Sequence, residues 1–253
     1  MKEIKVEYNM NEILLFCLPH AGGTAMTYNQ WKRSLDSRIQ LIPVELAGRG
    51  MRSGESLYSD FEQAVDDVSA IIQQNAQNTP YAIFGHSMGC WMAYEVYYRL
   101  MQESFPLPEH LFLSGNYPPY CKGKLKNYYK LSEEKFMQVI LKMGGTSSVI
   151  MEYPEMRNYY LPIIKNDFRI IEEYEEHHEQ RVTKIDSPIT IISGKSDTEV
   201  SVWELLQWKN CAGSSCNVSM LTGGHFFLFD NINQTVSIVN EKLKDFIGGK
   251  NYA

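Results

Sequence analysis

The chain has 253 residues, 44% of them hydrophobic and 12% aromatic, with a formal net charge of −6. That apolar content can fill a sizeable core, and the acidic balance leaves no domain-wide basic surface for nucleic acid. Five cysteines, an odd number with no Cys-x-x-Cys, exclude a disulfide framework or a cysteine zinc site and suit a reduced, cytoplasmic protein.

The first element is Ile13-Leu14-Leu15-Phe16-Cys17-Leu18, a continuous apolar run suited to a strand buried on both faces. At six residues, with acids before it, it is too short for a signal-peptide core. No run in the chain reaches transmembrane length, and no membrane partner is expected. Pro19-His20-Ala21-Gly22-Gly23 follows the strand, a glycine-rich loop after an early strand. A helix is expected near 27–35, then an edge strand at Gln40-Leu41-Ile42-Pro43-Val44, because its proline cannot donate to a ladder. Gly48-Arg49-Gly50 reads as a turn. Ser59-Asp60-Phe61-Glu62 has capping-box spacing, and Phe61, Ala64, Val65, Val68, Ile71 and Ile72 repeat behind it at helical period.

Tyr81-Ala82-Ile83-Phe84 is a short buried strand, and Cys90 to Val96 begins a helix. Between them stands Gly85-His86-Ser87-Met88-Gly89. A Gly-x-Ser-x-Gly pentapeptide arises by chance in about one chain in ten of this length, so its setting decides its meaning. Strand, pentapeptide, helix is a nucleophile elbow, with Ser87 on a sharp turn above the sheet. The loop at 19–23 then lies where an oxyanion hole is built, with the backbone N–H groups of Ala21 and Met88 as donors.

Leu111-Phe112-Leu113-Ser114 is a further strand. From about 117 to 182 no strand pattern occurs. Helices are expected from Ser132-Glu133-Glu134 to Gly144-Gly145, at 155–163 and at 166–178. This segment is expected to be a helical lid, inserted where catalytic loops gather. Pro188 to Ser193 is a late strand, followed by Gly194-Lys195-Ser196-Asp197. Val218 to Leu221 is the last strand, followed by Gly223-Gly224-His225-Phe226-Phe227 and an amphipathic helix carrying Val236, Val239, Leu243, Phe246 and Ile247. Alternating strands and helices imply a mainly parallel sheet flanked by helices, in one domain spanning 1–253 with the lid at about 117–182.

The partners of Ser87 should follow it in the order acid, histidine. Asp197 sits after a late strand. Its rivals are Asp167, in a helical stretch before that strand, and Asp230, which follows His225 and breaks the order. Of six histidines, His225 stands alone downstream of the late strand. The expected catalytic set is Ser87, His225 and Asp197: nucleophile, proton carrier and orienting carboxylate.

These residues carry a family resemblance. The chain resembles the stand-alone type II thioesterases of nonribosomal peptide and polyketide biosynthesis, members of the α/β-hydrolase superfamily. The likeness rests on Pro19 to Gly23, Gly48-Arg49-Gly50, Gly85 to Gly89, Leu161-Pro162 with Asp167, Gly194 with Asp197, and Gly223 to Phe227. Departures are few: Ala47 where proline is usual, Cys90 where a third glycine is frequent, and Lys165 where arginine is common.

The resemblance implies an α/β-hydrolase fold and hydrolysis of aberrant acyl or aminoacyl thioesters through an acyl-serine. The thioester is carried on the phosphopantetheine arm of an acyl or peptidyl carrier protein. No metal and no cofactor of the enzyme's own is implied, and a monomer is expected. Lys122, Lys124, Lys126 and Lys130 fall within nine residues with no acid among them. The first three, with His20, are the candidate substrate- or carrier-binding residues, because such carriers present an acidic helix. The competing readings are a small-ester or lipid esterase, an acyltransferase that delivers to an amine or alcohol, and a carrier-binding module with a vestigial site.

Overall fold

Six strands pair side by side in the computed structural model, which describes residues 12–121, 126–146, 149–177 and 184–247. They are β1 (Ile13–Leu18), β2 (Ile39–Pro43), β3 (Tyr81–His86), β4 (His110–Ser114), β5 (Ile189–Gly194) and β6 (Cys216–Leu221). Their order across the sheet is β2-β1-β3-β4-β5-β6, and every pairing is parallel.

The strand sequences explain this placement. All six residues of β1 are buried, and alternate side chains enter opposite layers. Leu14, Phe16 and Leu18 pack with α1 (Phe61–Ala76) and α2 (Met88–Gln102) through Val65, Val68, Met92 and Val96. Ile13, Leu15 and Cys17 pack on the other face against Trp31 and against Val236 and Val239 of α8 (Ile232–Leu243). β2 lies at one edge with Pro43 opposite Cys17, as its missing N–H requires.

The chain leaves β1 for the edge at β2, then returns to the other side of β1 as β3. The order therefore reverses between β1 and β3, and the crevice at their carboxyl ends is the natural place for a ligand. The loop after β1 and the turn after β3 both open there.

The helical stretch between β4 and β5 is present, with no strand among its described residues. It holds a 3-10 turn at Tyr128–Lys130, then α3 (Glu133–Met143), α4 (Val149–Glu152) and α5 (Pro154–His177). Phe136 and Ile140 of α3 pack on Leu161 and Ile164 of α5 in a small cluster of their own.

Three local expectations need correction. The helix expected near 27–35 is a 3-10 helix at Ala25–Arg33. The cap of α1 is shifted by one residue: Asp60 accepts from the N–H of Gln63 at 2.8 Å, while Gln63 Oε1 accepts from the N–H of Ser59. The helices expected at 155–163 and 166–178 are one helix, with Pro162 inside it. Pro162 is exposed, whereas Leu161, Ile163, Ile164 and Ile170 are buried, so the apolar face runs on past the proline. α6 (Val202–Leu206), α7 (Phe227–Asp230) and short 3-10 helices at Gly50–Arg52 and Gln207–Asn210 complete the elements of the described residues.

Candidate active site

Ser87 follows the last residue of β3 and caps α2 with φ +55° and ψ −114°, a left-handed-side conformation rarely held by a side-chain-bearing residue. The surroundings over-determine it. Its N–H donates to Ser114 O at 2.8 Å, and its carbonyl accepts from Cys90 N at 3.0 Å and Asn116 Nδ2 at 3.2 Å. The flanking glycines are required by close approach: a Cβ on Gly85 would lie 1.9 Å from Gly89 O, and one on Gly89 would lie 2.3 Å from Leu18 O. The elbow is thus pressed onto the end of β1, beside the glycine-rich loop.

Ser87, His225 and Asp197 are brought together from the ends of β3, β6 and β5. His225 Nε2 lies 3.0 Å from Ser87 Oγ, and His225 Nδ1 lies 2.9 Å from Asp197 Oδ2. The Asp197 side chain is 1% exposed, and its other oxygen accepts from the N–H of Glu199 at 2.8 Å and of Val200 at 3.3 Å. A carboxylate only accepts, so Nδ1 of His225 carries the proton and donates. Nε2 is then bare towards Ser87, the tautomer that can take the hydroxyl proton.

The competing carboxylates lie elsewhere. Asp230 ends α7 and is exposed. Asp167 is fully buried in α5, where both its oxygens bond to Arg49, at 2.5 and 2.7 Å. Arg49 is itself fully buried, which a Gly-Arg-Gly turn motif does not announce.

Two hollows flank Ser87 and His225. The larger, of about 120 Å³, is walled by Trp91, Tyr117, Tyr128, Phe168, Glu172 and Glu175. Its acids are already engaged. Glu172 accepts from the N–H groups of Tyr128 and Tyr129 at 2.9 and 3.2 Å, and burial pushes its carboxyl up. Glu175 accepts from the Tyr117 hydroxyl at 2.6 Å. The smaller hollow, about 30 Å³, is bounded by Ala21, Ile164 and Phe226. Phe168 borders both.

The remaining expected residues fall as follows. Ala21 borders the smaller hollow beside Ser87. Met88 opens α2 directly after Ser87, so its N–H belongs to the first turn, which has no intrahelical acceptor. His20 is buried with its ring edge-on to Phe226, and its Nδ1 has no hydrogen-bond partner. Burial, with His225 and Arg49 nearby, pushes its pKa down to about 3, so it is neutral. Lys126 lines the larger hollow and pairs with Glu199 at 2.7 Å. Lys122 and Lys124 lie outside the described residues.

Sequence reasoning did not single out Ser114 and Asn116, which hold the elbow, or Trp91 and Phe168, which wall the hollows. Strand β4 could have pointed to the first two, since parallel pairing with β3 brings its carboxyl end beside the elbow.

The thioesterase domain profile matches residues 14–243. The gramicidin S biosynthesis protein GrsT of Aneurinibacillus migulanus is 30% identical over 94% of this chain and 93% of its own length. Among solved structures, ClbQ from the colibactin NRPS/PKS pathway superposes with a TM-score of 0.87 at 32% identity, covering 93% of this chain and 98% of its own. The type II thioesterase BorB from the borrelidin biosynthetic cluster gives a TM-score of 0.82 at 27% identity, covering 92% and 93%.

Proposed function

Because this chain belongs to the thioesterase family, we propose that it hydrolyses acyl or aminoacyl thioesters from the phosphopantetheine arm of carrier proteins, through an acyl-Ser87 intermediate. The observation that carries the reading is the unbroken series Ser87 Oγ, His225, Asp197, with links of 3.0 and 2.9 Å on a strained turn. The names of its relatives, which place them in gramicidin S, colibactin and borrelidin biosynthesis, support a substrate carried on such a biosynthetic assembly.

The steps follow from the residues. Ser87 Oγ attacks the thioester carbonyl as its proton passes to His225 Nε2. Asp197 fixes the donating tautomer and stabilises the imidazolium. Charge builds on the carbonyl oxygen, and the N–H groups of Ala21 and Met88 receive it; such donors are usually among the larger catalytic contributions. The carbon–sulfur bond breaks, the phosphopantetheine sulfur leaves with the proton from His225, and acyl-Ser87 remains. Water then attacks the acyl-serine with His225 again as base, releasing the acid and restoring Ser87. The larger hollow, walled by Trp91, Tyr117 and Phe168, receives the acyl group. The protein acts as a single domain in which the helical stretch covers this site, and Lys122 and Lys124 meet the carrier's acidic surface.

The test is the intact mass of an acetyl-loaded carrier protein before and after incubation with this enzyme. The expected result is loss of one acetyl group and return of the free thiol, absent with Ser87→Ala. An unchanged carrier, alongside rapid cleavage of simple oxygen esters, would replace this reading with that of an esterase.

A further inference from the structure

We propose that Asp167 is a positioning residue for this hydrolysis: it holds the peptide of Gly22, and so aims the loop that carries the oxyanion donor Ala21. The proposal rests on the hydrolytic reading above.

A buried ion pair is weak grounds for stability, because desolvating both charges offsets their attraction. The Arg49–Asp167 pair has a second feature. Asp167 Oδ2, besides meeting Arg49, accepts from the N–H of Gly22 at 2.7 Å. Arg49 Nη1 reaches the carbonyl of Gly23 at 3.4 Å. Both members therefore grip the same loop, one at the Gly22 N–H and one at the carbonyl of Gly23.

The loop is a β-turn closed by Gly23 N–H to His20 O at 2.8 Å. Gly22 stands at its third position with φ +75°, the type II form. The N–H of Gly22 belongs to the central peptide, whose rotation converts type II into type I. The bond to Asp167 fixes that peptide. The same helix leaves room for glycine alone at this position: a Cβ on Gly22 would lie 2.5 Å from Ile164 Cγ1. Ile164 and Asp167 are three residues apart on α5, hence on one face.

The assignment of N–H groups follows. Gly22 donates to Asp167, Gly23 to His20, and Ala25 to Glu45 Oε1 at 3.0 Å. Ala21, which borders the hollow beside Ser87, is the loop residue placed to meet an oxyanion. A bare carboxylate one residue from that donor would oppose the developing negative charge. The two-pronged Arg49 contact neutralises it. Phe168, next to Asp167, walls both hollows, so one turn of α5 touches the acyl site and sets the loop.

The experiment compares two charge-free double variants, which avoid a lone buried charge. Arg49→Leu with Asp167→Asn keeps a carbonyl acceptor for Gly22, whereas Arg49→Leu with Asp167→Leu removes it. Each is assayed for thermal unfolding, for kcat and KM on a small free acyl thioester, and for inhibition by a trifluoromethyl ketone that forms a tetrahedral adduct with the serine. The leucine pair should lose about 10–10²-fold in kcat, with KM within about threefold and the ketone weakened in parallel. The asparagine pair should recover most of that loss. Wild-type kcat in the leucine pair, equal losses in both pairs, or a loss confined to KM would each overturn the positioning role. If the leucine pair does not fold, Asp167→Glu keeps the charge opposite Arg49 but displaces the acceptor from Gly22. It should lower kcat at constant KM, and full kcat there would overturn the proposal. A wild-type enzyme inactive on every thioester would instead remove the hydrolytic reading itself, a result distinct from any of these.

Discussion

The sheet and the helical stretch between β4 and β5 are built on different terms. β1, β3, β4 and β5 are buried along their whole lengths, and the candidate catalytic side chains stand on the turns that leave β3, β5 and β6. Within the helical stretch, α3 buries only two residues, Phe136 and Ile140, against Leu161 and Ile164 of α5. The stretch is joined to the sheet side largely by α5, through Asp167 on Arg49 and Gly22, and through Tyr174, which reaches Glu95 at 2.6 Å and packs on Phe61. The candidate catalytic residues thus stand on the buried sheet, and the helical stretch is joined to it through α5, by these polar and aromatic contacts and by Ile170, which is buried in the main core.

The contrast can be broken most severely at the elbow. Ser87→Ala should lower turnover on the order of 10⁴–10⁶-fold while leaving the thermal unfolding midpoint close to wild type. A variant that keeps a tenth of wild-type turnover would mean that the sheet side does not hold the nucleophile.

Asp197→Asn comes next, with an expected loss of roughly 10⁴-fold in kcat, because an amide stabilises the wrong imidazole tautomer. Its loss should exceed that of any change at Asp167, which acts through the loop alone. The reverse ranking, measured side by side, would move the orienting acid into the helical stretch.

Hydrogen exchange sharpens the comparison within the stretch itself. Amides of α3 should exchange about 10²-fold faster than those of β1 and β3, since few buried contacts hold that helix. The middle of α5, around Asp167, should side with the sheet. Uniform protection across α3, α5 and β1 would contradict a weakly joined α3.

The smallest effect is on the sheet side and depends on pH. Three buried histidines are held neutral: His20 at about 3 and His110 at about 4, chiefly by burial, and His86 pushed well down by burial with His225 and His20 beside it. In each case the folded pKa is depressed below the ordinary 6.5, so the unfolded chain binds more protons below that pH. Their stabilisation is complete above about 6.5 and is lost as pH falls towards the folded values, by up to about 1.4 kcal/mol per pH unit for each histidine. Denaturant unfolding at pH 7.5 and 5.5 should show this fall. His110→Gln, which keeps a polar partner for Thr190, should flatten it by about one proton. A slope unchanged by that variant would show that His110 is not one of the groups responsible.

The same division explains what the sequence discloses. β1 is a continuous apolar run and β3, β4 and β5 are mainly apolar runs, each with glycine or proline close to its ends, and such runs announce buried parallel strands. The elbow and His225 are legible because glycine-flanked chemistry after a strand is a local pattern. Asp197 is legible only by its order in the chain. What escapes is long-range and polar. Nothing near Arg49 announces that it is fully buried, and its partner lies 118 residues away. Pro162 suggests a helix end, yet one lost N–H is outweighed by the apolar face that continues beyond it. Asn116 holds the elbow across 29 residues, a contact that exists only once β3 and β4 pair.

The central claim is that Ser87 is the nucleophile, activated by His225 and Asp197. A fluorophosphonate, which phosphonylates an activated serine, tests it most directly. Peptide mapping of the treated protein should find one phosphonyl group per chain, on the peptide containing Ser87, with thioester hydrolysis lost in proportion to labelling. Labelling should be much slower in His225→Ala. Full hydrolysis after complete modification of Ser87, or a label placed elsewhere with loss of activity, would contradict the account.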